Sequence, residues 1–239
     1  MNEDAAREQL ASCTRIFAMH GLLGMFGHIS VYLPETRRVV ICPGSGAAKC
    51  DVQAEDMLVI GLDGTLLAGH HTIPREWPIH TELHQARPDA RAVAHCHAHE
   101  STLFAIAQRE LRPVTMSGAI FADGVPVYPR VEFIDTLAAG RRVVEALGDR
   151  LALLLRCHGT VSVGSSIEAM LHTAFILEDN ARKLLEALPL GAVQPLTREE
   201  CLALEGGYPE ARARAHWAYL AADERRWDRQ RATGALHGV

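Results

Sequence analysis

The sequence of 239 residues has no excess of positive charge, because 24 Lys and Arg stand against 29 Asp and Glu, giving a net charge of -5. Nucleic-acid binding draws most of its affinity from basic side chains that neutralise phosphates, so we expect no nucleic-acid partner. No apolar run approaches the roughly 20 residues that span a bilayer. The acidic start MNEDAAREQL also lacks the basic and then apolar pattern of a signal peptide. These absences predict a cytoplasmic protein without a membrane segment.

Cysteine is sparse, and the six cysteines form no C-x-x-C pair. This spacing argues against a zinc ribbon and against a disulfide framework. Hydrophobic residues make up 48% of the chain and charged residues 22%, which is typical of a globular protein with a large core. No repeat, low-complexity segment or linker interrupts the chain. We therefore predict a single domain over residues 1–239, with a helical tail from about residue 197.

Hydrophobic periodicity and turn residues predict a chain of mixed helices and strands. The predicted helices cover 4–20, 76–86, 102–108, 132–147, 166–188 and 209–229, and the predicted strands cover 28–33, 37–42, 57–61, 92–97 and 151–155. Ser101 is expected to cap the helix at 102–108. The order lacks the strict alternation of a parallel sheet, so an α/β or α+β sandwich around a mostly antiparallel sheet is the predicted class.

Histidine is unusually frequent, with 13 in the chain. Seven lie within one 30-residue stretch: His70, His71, His80, His84, His95, His97 and His99. On a strand, residues i and i+2 share a face, so His95 and His97 could hold one metal ion from a single rigid element. The alternative is a pair of polar histidines on an exposed sheet face. His99 lies where the strand gives way to a helix, which favours capping or support of the ligands.

Two residues outside this strand could complete a site. Glu76 stands at the start of a predicted helix, where a general base could face a ligand, although the helix dipole alone also favours a Glu there. His158 follows a buried apolar strand and precedes Gly159, at a position where sheets present residues to a crevice; a structural turn histidine is the alternative.

The other histidines of this stretch and of the long helix are expected at the surface or in a supporting position, outside the metal site. His70 and His71 are expected in a solvated loop, and His84 on the outer side of its helix. His172 is expected on the polar face of the helix at 166–188. His80, one helical turn after Glu76, could orient that carboxylate or lie at the surface.

Several blocks together resemble the class II aldolase/adducin family. They are Gly27-His28-Ile29-Ser30, Pro43-Gly44-Ser45-Gly46, Glu76 with His80, His95-Cys96-His97, and Leu155 to Val161 with Gly164. The resemblance covers about residues 5 to 190. It implies a three-layer α/β/α sandwich and a homotetramer with sites between subunits. It also implies a divalent metal, most often zinc with manganese or cobalt as alternatives, held by His95, His97 and His158, and Glu76 as the acid/base residue.

Departures from the aldolase pattern bear on the substrate. The sugar-phosphate aldolases of this family bind phosphate with an Asn in the first block and with two Ser before the catalytic Glu, where this chain has His28, Pro74 and Arg75. A guanidinium can bind a planar carboxylate bidentately. The GHIS block and Trp77 are similar to the decarboxylase branch of the family, which acts on carboxylated catechols and related aromatic-degradation acids.

The resulting hypothesis is a metal-dependent carbon–carbon lyase, with decarboxylation favoured over aldol cleavage and a small carboxylate as substrate. Arg75 or His28 would bind the carboxylate, and Ser45 and Gly46 would contribute loop donors. The alternatives are a sugar-phosphate aldolase or dehydratase on the same scaffold, and a non-catalytic module of the adducin type.

Overall fold

The computed structural model describes residues 1–205 and 209–232. Among these residues, eight strands form one sheet: β1 His28–Leu33, β2 Arg38–Ile41, β3 Leu58–Gly61, β4 Leu66–Ala68, β5 Ala92–Cys96, β6 Val127–Tyr128, β7 Ala152–Leu155 and β8 Gly159–Gly164. The α-helices are α1 Glu3–Met19, α2 Trp77–Ala86, α3 His99–Ala107, α4 Leu137–Leu147, α5 Ile167–Ala187, α6 Arg198–Glu205 and α7 Pro209–Ala232. Across the described helices, none combines the length and apolar character that crossing a bilayer requires.

The sheet runs in the order β4-β3-β2-β1-β5-β8-β7-β6. Every neighbouring pair is antiparallel except β6 and β7. The predicted α/β class with a mostly antiparallel sheet is therefore confirmed. In the register of the central strands, His28 on β1 is opposite His95 on β5, and His95 is opposite Val161 on β8. The middle of the sheet thus brings residues from distant parts of the chain together.

Helices cover both faces of the sheet, because alternate residues of each central strand point to opposite sides. On β5, Ala92 and Ala94 pack with α1, α5 and α7 on one face, while Val93 packs with α2 and α4 on the other. All five residues of β5 are buried, so this strand has no solvated face. The result is the three-layer α/β/α sandwich that the family resemblance implies.

Helix α3 begins at His99, three residues before its predicted start, and Ser101 is not its cap. The residue at the N-cap position is Ala98, whose side chain cannot accept a hydrogen bond. Instead, the Glu178 carboxylate reaches across from α5 and accepts from the amides of Glu100 and Ser101, at 2.7 and 3.0 Å. Tertiary capping of this kind leaves no local signal in the sequence.

Helix α4 begins five residues after its predicted start, with Thr136 as N-cap accepting from the amide of Ala139 at 3.2 Å. The residues before it stay extended because Ile134 donates its amide to Glu76 and Asp135 pairs with Arg75. Strands β4, β6 and β8 were not predicted. The first two have three and two residues, and β8 both begins and ends with glycine, which weakens a strand signal.

Candidate metal centre and cleft

A cleft of about 530 Å³ opens where β1, β5 and β8 meet the loops at one edge of the molecule. Its lining consists of Met25, Phe26, Gly27, His28, Gly44, Ser45, Pro74, Arg75, Glu76, His97, Phe133, Cys157 and His158. Six of the eight residues predicted for the site line it, and among these Arg75 has an exposed side chain. A seventh, His95, lies fully buried against Glu76. Gly46 is absent from this lining.

His95 is held in one ring orientation by the neighbouring strand. It is completely buried, and its Nδ1 lies 3.0 Å from the carbonyl oxygen of Thr160 on β8. A carbonyl can only accept, so Nδ1 carries the proton and Nε2 keeps its lone pair. A backbone acceptor on the second ring nitrogen is the usual support of a metal-ligating histidine.

His97 lies one residue beyond the end of β5, yet its Nε2 is 3.0 Å from the Nε2 of His95. The predicted pairing of these two rings is therefore present although the strand ends at Cys96. Desolvation in the crowded cluster lowers the pKa of His97 to about 3, with smaller contributions from His95 and His158. The ring is neutral at physiological pH, as a metal ligand must be.

His158 reaches the same point from the turn between β7 and β8. Cys157 in this turn has a φ of 56°, in the left-handed region that non-glycine residues rarely adopt. Gly159 allows the next strand to approach, because a Cβ there would lie 2.2 Å from the carbonyl oxygen of Cys96. The close approach brings the His158 ring within 5.0 Å of the His97 ring, measured between centroids.

Glu76 faces the three histidines from the start of α2. It is 7% exposed, and its Oε1 accepts from the amide of Ile134 at 2.8 Å. Its Oε2 lies 3.4 Å from His95 Nε2 and 3.2 Å from His158 Nε2. Burial raises the pKa of this carboxyl, but its contacts with His158 and His95 outweigh burial and hold the pKa well below the ordinary value. Glu76 is therefore a carboxylate.

The donor set fits a divalent cation. His95, His97 and His158 offer ligand atoms within 4.8 Å of one another, and His28, Glu76 and His95 form an overlapping group of the same size. Three imidazoles are ligands that Zn²⁺, Mn²⁺ or Co²⁺ accept, and they leave a position for a further ligand, as catalytic sites require. The cluster could hold a catalytic metal.

Arg75 and the loop after β2 lie beside this cluster. The Nε and Nη2 atoms of Arg75 donate to one carboxylate oxygen of Asp135, at 2.9 and 2.6 Å, and its guanidinium stacks over Phe133 at 4.0 Å. Ser45 lines the cleft, whereas Gly46 lies in an adjoining depression with His70 and His71. The buried Lys49 ties this loop down by donating to the carbonyls of Pro43 and Gly44.

Two histidines lie where the sequence did not predict them. His84 is 3% exposed, so its expected position on the outer side of α2 is wrong. Its Nδ1 bonds the carbonyl of Ala90 and its Nε2 bonds Ser30 Oγ, both at 2.8 Å. His80 is fully buried rather than superficial, and its ring nitrogens bond His28 and Ser30 at 2.6 Å rather than Glu76.

The buried position of His84 predicts acid sensitivity. Burial lowers its pKa to about 4, against an ordinary value near 6.5 in an unfolded chain. Between these pH values the unfolded chain binds more protons, so the free energy of unfolding should fall as the pH decreases from about 7 to about 4. This residue would contribute about 3 kcal/mol of that fall.

Urea unfolding of metal-free protein at several pH values measures this loss. Glutamine cannot titrate, so the free energy of unfolding of His84→Gln should depend less on pH. In His70→Gln, which replaces an exposed histidine, this free energy should have the same slope against pH as in the wild type. Equal slopes in the wild type and in His84→Gln would contradict the prediction.

Apolar residues of the cleft escaped sequence interpretation altogether. Met25, Phe26 and Phe133 are 65%, 59% and 61% exposed, and they form one wall of the cleft together with Pro74. The signal that could have identified them is their position: large apolar side chains in loops that carry no helix or strand periodicity.

The predictions for the other histidines hold in part. His70 is exposed as expected, but His71 bonds Asp56 at 2.8 Å. His172 is half-buried and bonds His216 at 3.0 Å.

Comparisons with known proteins show the family and the fold. The Class II Aldolase and Adducin N-terminal domain matches residues 8–185. The chain is 34% identical to a 3,4-dihydroxyphthalate decarboxylase of Rhodococcus jostii (strain RHA1), over 80% of this chain and 85% of that protein. An aldolase II superfamily protein from Pseudomonas syringae has the same fold at a TM-score of 0.82, with 23% identity over 94% of this chain and 93% of that one. An L-fuculose 1-phosphate aldolase from Glaciozyma antarctica PI12 also has this fold, at a TM-score of 0.80 with 23% identity over 91% of this chain and 89% of that one.

Proposed function

The chain belongs to the class II aldolase and adducin family, and on this premise we propose that it is a divalent-metal-dependent decarboxylase of a carboxylated catechol or a related aromatic-degradation acid. The composition of the cleft is the observation that carries the proposal. An apolar wall faces a metal-type histidine cluster, and Arg75 is the cationic side chain among the lining residues. The similarity to a dihydroxyphthalate decarboxylase over four-fifths of the chain supports the same substrate class.

A planar aromatic acid matches this cleft better than a sugar phosphate does. The exposed Phe26 and Phe133 rings can pack against an aromatic ring. The Nη1 atom of Arg75 remains for a carboxylate after Asp135 has engaged Nε and Nη2, as far as the described residues show. The positions before Glu76 are Pro74 and Arg75, which offer no hydroxyl for a phosphate.

His95, His97 and His158 would hold the metal, for which zinc is the first choice. When bound there, such an ion supplies electrophilic stabilisation for negative charge that develops on substrate oxygen. The role of Glu76 follows from its ionised state and its position beside the cluster. Its carboxylate would take the proton of a substrate hydroxyl and return it to the ring carbon that loses carbon dioxide. The electron pair of the broken carbon–carbon bond then ends in the new carbon–hydrogen bond, and the phenolate product regains a proton from water.

An assay with a panel of substrates tests the proposal. Purified protein loaded with zinc, manganese or cobalt would be supplied with carboxylated catechols, and carbon dioxide release measured. Activity confined to phosphorylated ketoses would instead support the aldolase or dehydratase alternative. No tight divalent metal and no activity on either class would support the non-catalytic alternative.

Substitution of Arg75 should affect substrate binding more than turnover. We expect Arg75→Ala to raise KM by a factor of about ten or more, because a hydrogen bond to a charged group contributes about 1.5–3 kcal/mol. Arg75→Lys should give a KM between those of the wild type and Arg75→Ala, since lysine keeps the positive charge but lacks the planar guanidinium. The matched control is Arg112→Ala, which removes another exposed, carboxylate-paired arginine away from the cleft. A fall in kcat with unchanged KM would contradict a binding role for Arg75.

Assembly is part of the proposal, because the family resemblance implies a homotetramer with sites between subunits. The exposed Met25, Phe26 and Phe133 on the cleft wall are apolar surface that a neighbouring subunit could cover. Light scattering after size-exclusion chromatography should give four times the chain mass of 26.1 kDa. A monomer mass would contradict it.

A further inference from the structure

A continuous row of hydrogen bonds runs from the cleft to the far side of α2. It begins at the carbonyl oxygen of Ala90, which lies 2.8 Å from His84 Nδ1, and continues from His84 Nε2 to Ser30 Oγ at 2.8 Å. Ser30 Oγ also lies 2.6 Å from His80 Nδ1, and His80 Nε2 lies 2.6 Å from His28 Nδ1. The three histidines and Ser30 are all buried, and His28 is the member that lines the cleft.

The carbonyl at one end decides the direction of every bond in the row. Because a carbonyl only accepts, His84 donates from Nδ1, and its neutral ring then offers a lone pair at Nε2. Ser30 must therefore donate its hydroxyl proton to His84 and is left to accept from His80 Nδ1. His80 in turn offers a lone pair at Nε2, so His28 donates from Nδ1.

Burial favours the neutral form of the three histidine rings in the row. Burial lowers the pKa of His84 to about 4, and burial with neighbouring histidines lowers the pKa of His80 well below the usual range. The direction of the row rests on the carbonyl and the distances, and these pKa directions agree with it. All three rings carry their proton on Nδ1.

We propose that this row fixes His28 with an unprotonated Nε2 toward the cleft, where it accepts a hydrogen bond from a hydroxyl group of the substrate. The assignment of the ligand rests on the proposed function, in which the substrate is a carboxylated catechol. A bare imidazole nitrogen repels a carboxylate oxygen, since both present lone pairs. His28 is thereby assigned to the catechol hydroxyl, and the carboxylate is left to Arg75.

Nitrogen NMR on the full chain tests the tautomers without any assay of activity. Protein labelled with ¹⁵N-histidine, first without metal and then with zinc, should show His28, His80 and His84 protonated on Nδ1 and bare on Nε2. Ser30→Ala removes the hydroxyl that joins His84 to His80. His84 should keep its tautomer because of Ala90, while His80 and His28 should lose theirs.

Two further variants control for folding. Ser30→Thr keeps the hydroxyl and should restore the wild-type tautomers. Ser162→Ala removes another buried serine of the same sheet, whose Oγ has no hydrogen-bond partner among the described residues, and should change neither tautomers nor binding. A proton on Nε2 of His28 in the wild type would overturn the proposal.

Ligand binding tests the hydroxyl assignment. Calorimetry would use zinc-loaded protein that carries Glu76→Gln, so that the ligand is consumed too slowly to disturb the titration, and would compare a carboxylated catechol with its O-methyl ethers and with the carboxylate that lacks hydroxyls. With Ser30 intact this protein should prefer the free hydroxyl by about tenfold, and adding Ser30→Ala should remove most of this preference while the hydroxyl-free carboxylate binds unchanged. An unaltered preference in Ser30→Ala would overturn the assignment. If no carboxylated catechol binds, the proposed function and the hydroxyl assignment both fail, while the tautomers still decide whether the row directs His28.

Discussion

Replacing His97 with alanine should abolish tight binding of zinc and lower kcat/KM on the order of a thousandfold. The loss follows because two histidines bind a divalent ion far less firmly than three do. Without the ion, several kcal/mol of charge stabilisation at the substrate oxygen disappear. His97 is the ligand best suited to this test, because it lies beyond the end of β5 with an exposed edge, and its removal leaves no large cavity.

The matched control is His70→Ala, which removes an exposed histidine outside the cluster. Metal content by mass spectrometry and turnover should stay at their wild-type levels in this variant. Unfolding by urea in the presence of a chelator should be the same for both variants, so that a loss of metal can be separated from a loss of fold. Full zinc occupancy and turnover in His97→Ala would remove His97 from the ligand set.

The second large effect is expected for Glu76→Gln. The amide keeps the shape of the side chain, and its Oε1 can still accept from Ile134, but it can no longer take up a proton. General acid–base catalysis contributes about 10²–10⁴-fold to a rate. We therefore expect kcat to fall on the order of a thousandfold, while zinc stays bound through the three histidines.

Glu82→Gln is the corresponding control, because Glu82 lies on the same helix and is also buried, at 8% exposure. It pairs with Arg141 on α4 rather than with the cluster, so its turnover should remain close to that of the wild type. Isolated product incubated in deuterium oxide should exchange its ring hydrogen with the wild type and far more slowly with Glu76→Gln, which would support proton delivery by Glu76. Equal turnover in Glu76→Gln and the wild type would exclude Glu76 as the proton carrier.

The metal-type cluster could be predicted because each of its members has a local signal. His95 and His97 follow from alternation on one strand, His158 from the end of a buried strand before glycine, and Glu76 from the start of a helix. Each signal depends on only a few neighbouring residues, and the sheet brings them together at the central strands. The mostly antiparallel sheet was predictable for the same reason.

The buried row could not be predicted, because its partners are far apart in the sequence. Ser30 and His84 are 54 residues apart, and His28 and His80 are 52 apart. In the sequence of α2 alone, His84 beside Gln85 resembles a polar surface residue. It is buried because β1 packs against it, with Ser30 Oγ bonded to its ring. The start of α4 was missed similarly, since the hydrogen bond between Ile134 and Glu76 depends on tertiary structure.

The division between central strands and loops has an evolutionary consequence. His28, His95 and His158 depend on the register of β1, β5 and β8, whereas Arg75, Phe26 and Phe133 lie in connecting segments outside the strands. Mutations in these segments can reshape the wall of the cleft without disturbing strand pairing. A lineage with this scaffold can therefore diversify its substrates by loop substitution while its histidine cluster stays constant, and exchanging loops between relatives is a practical route to new specificities.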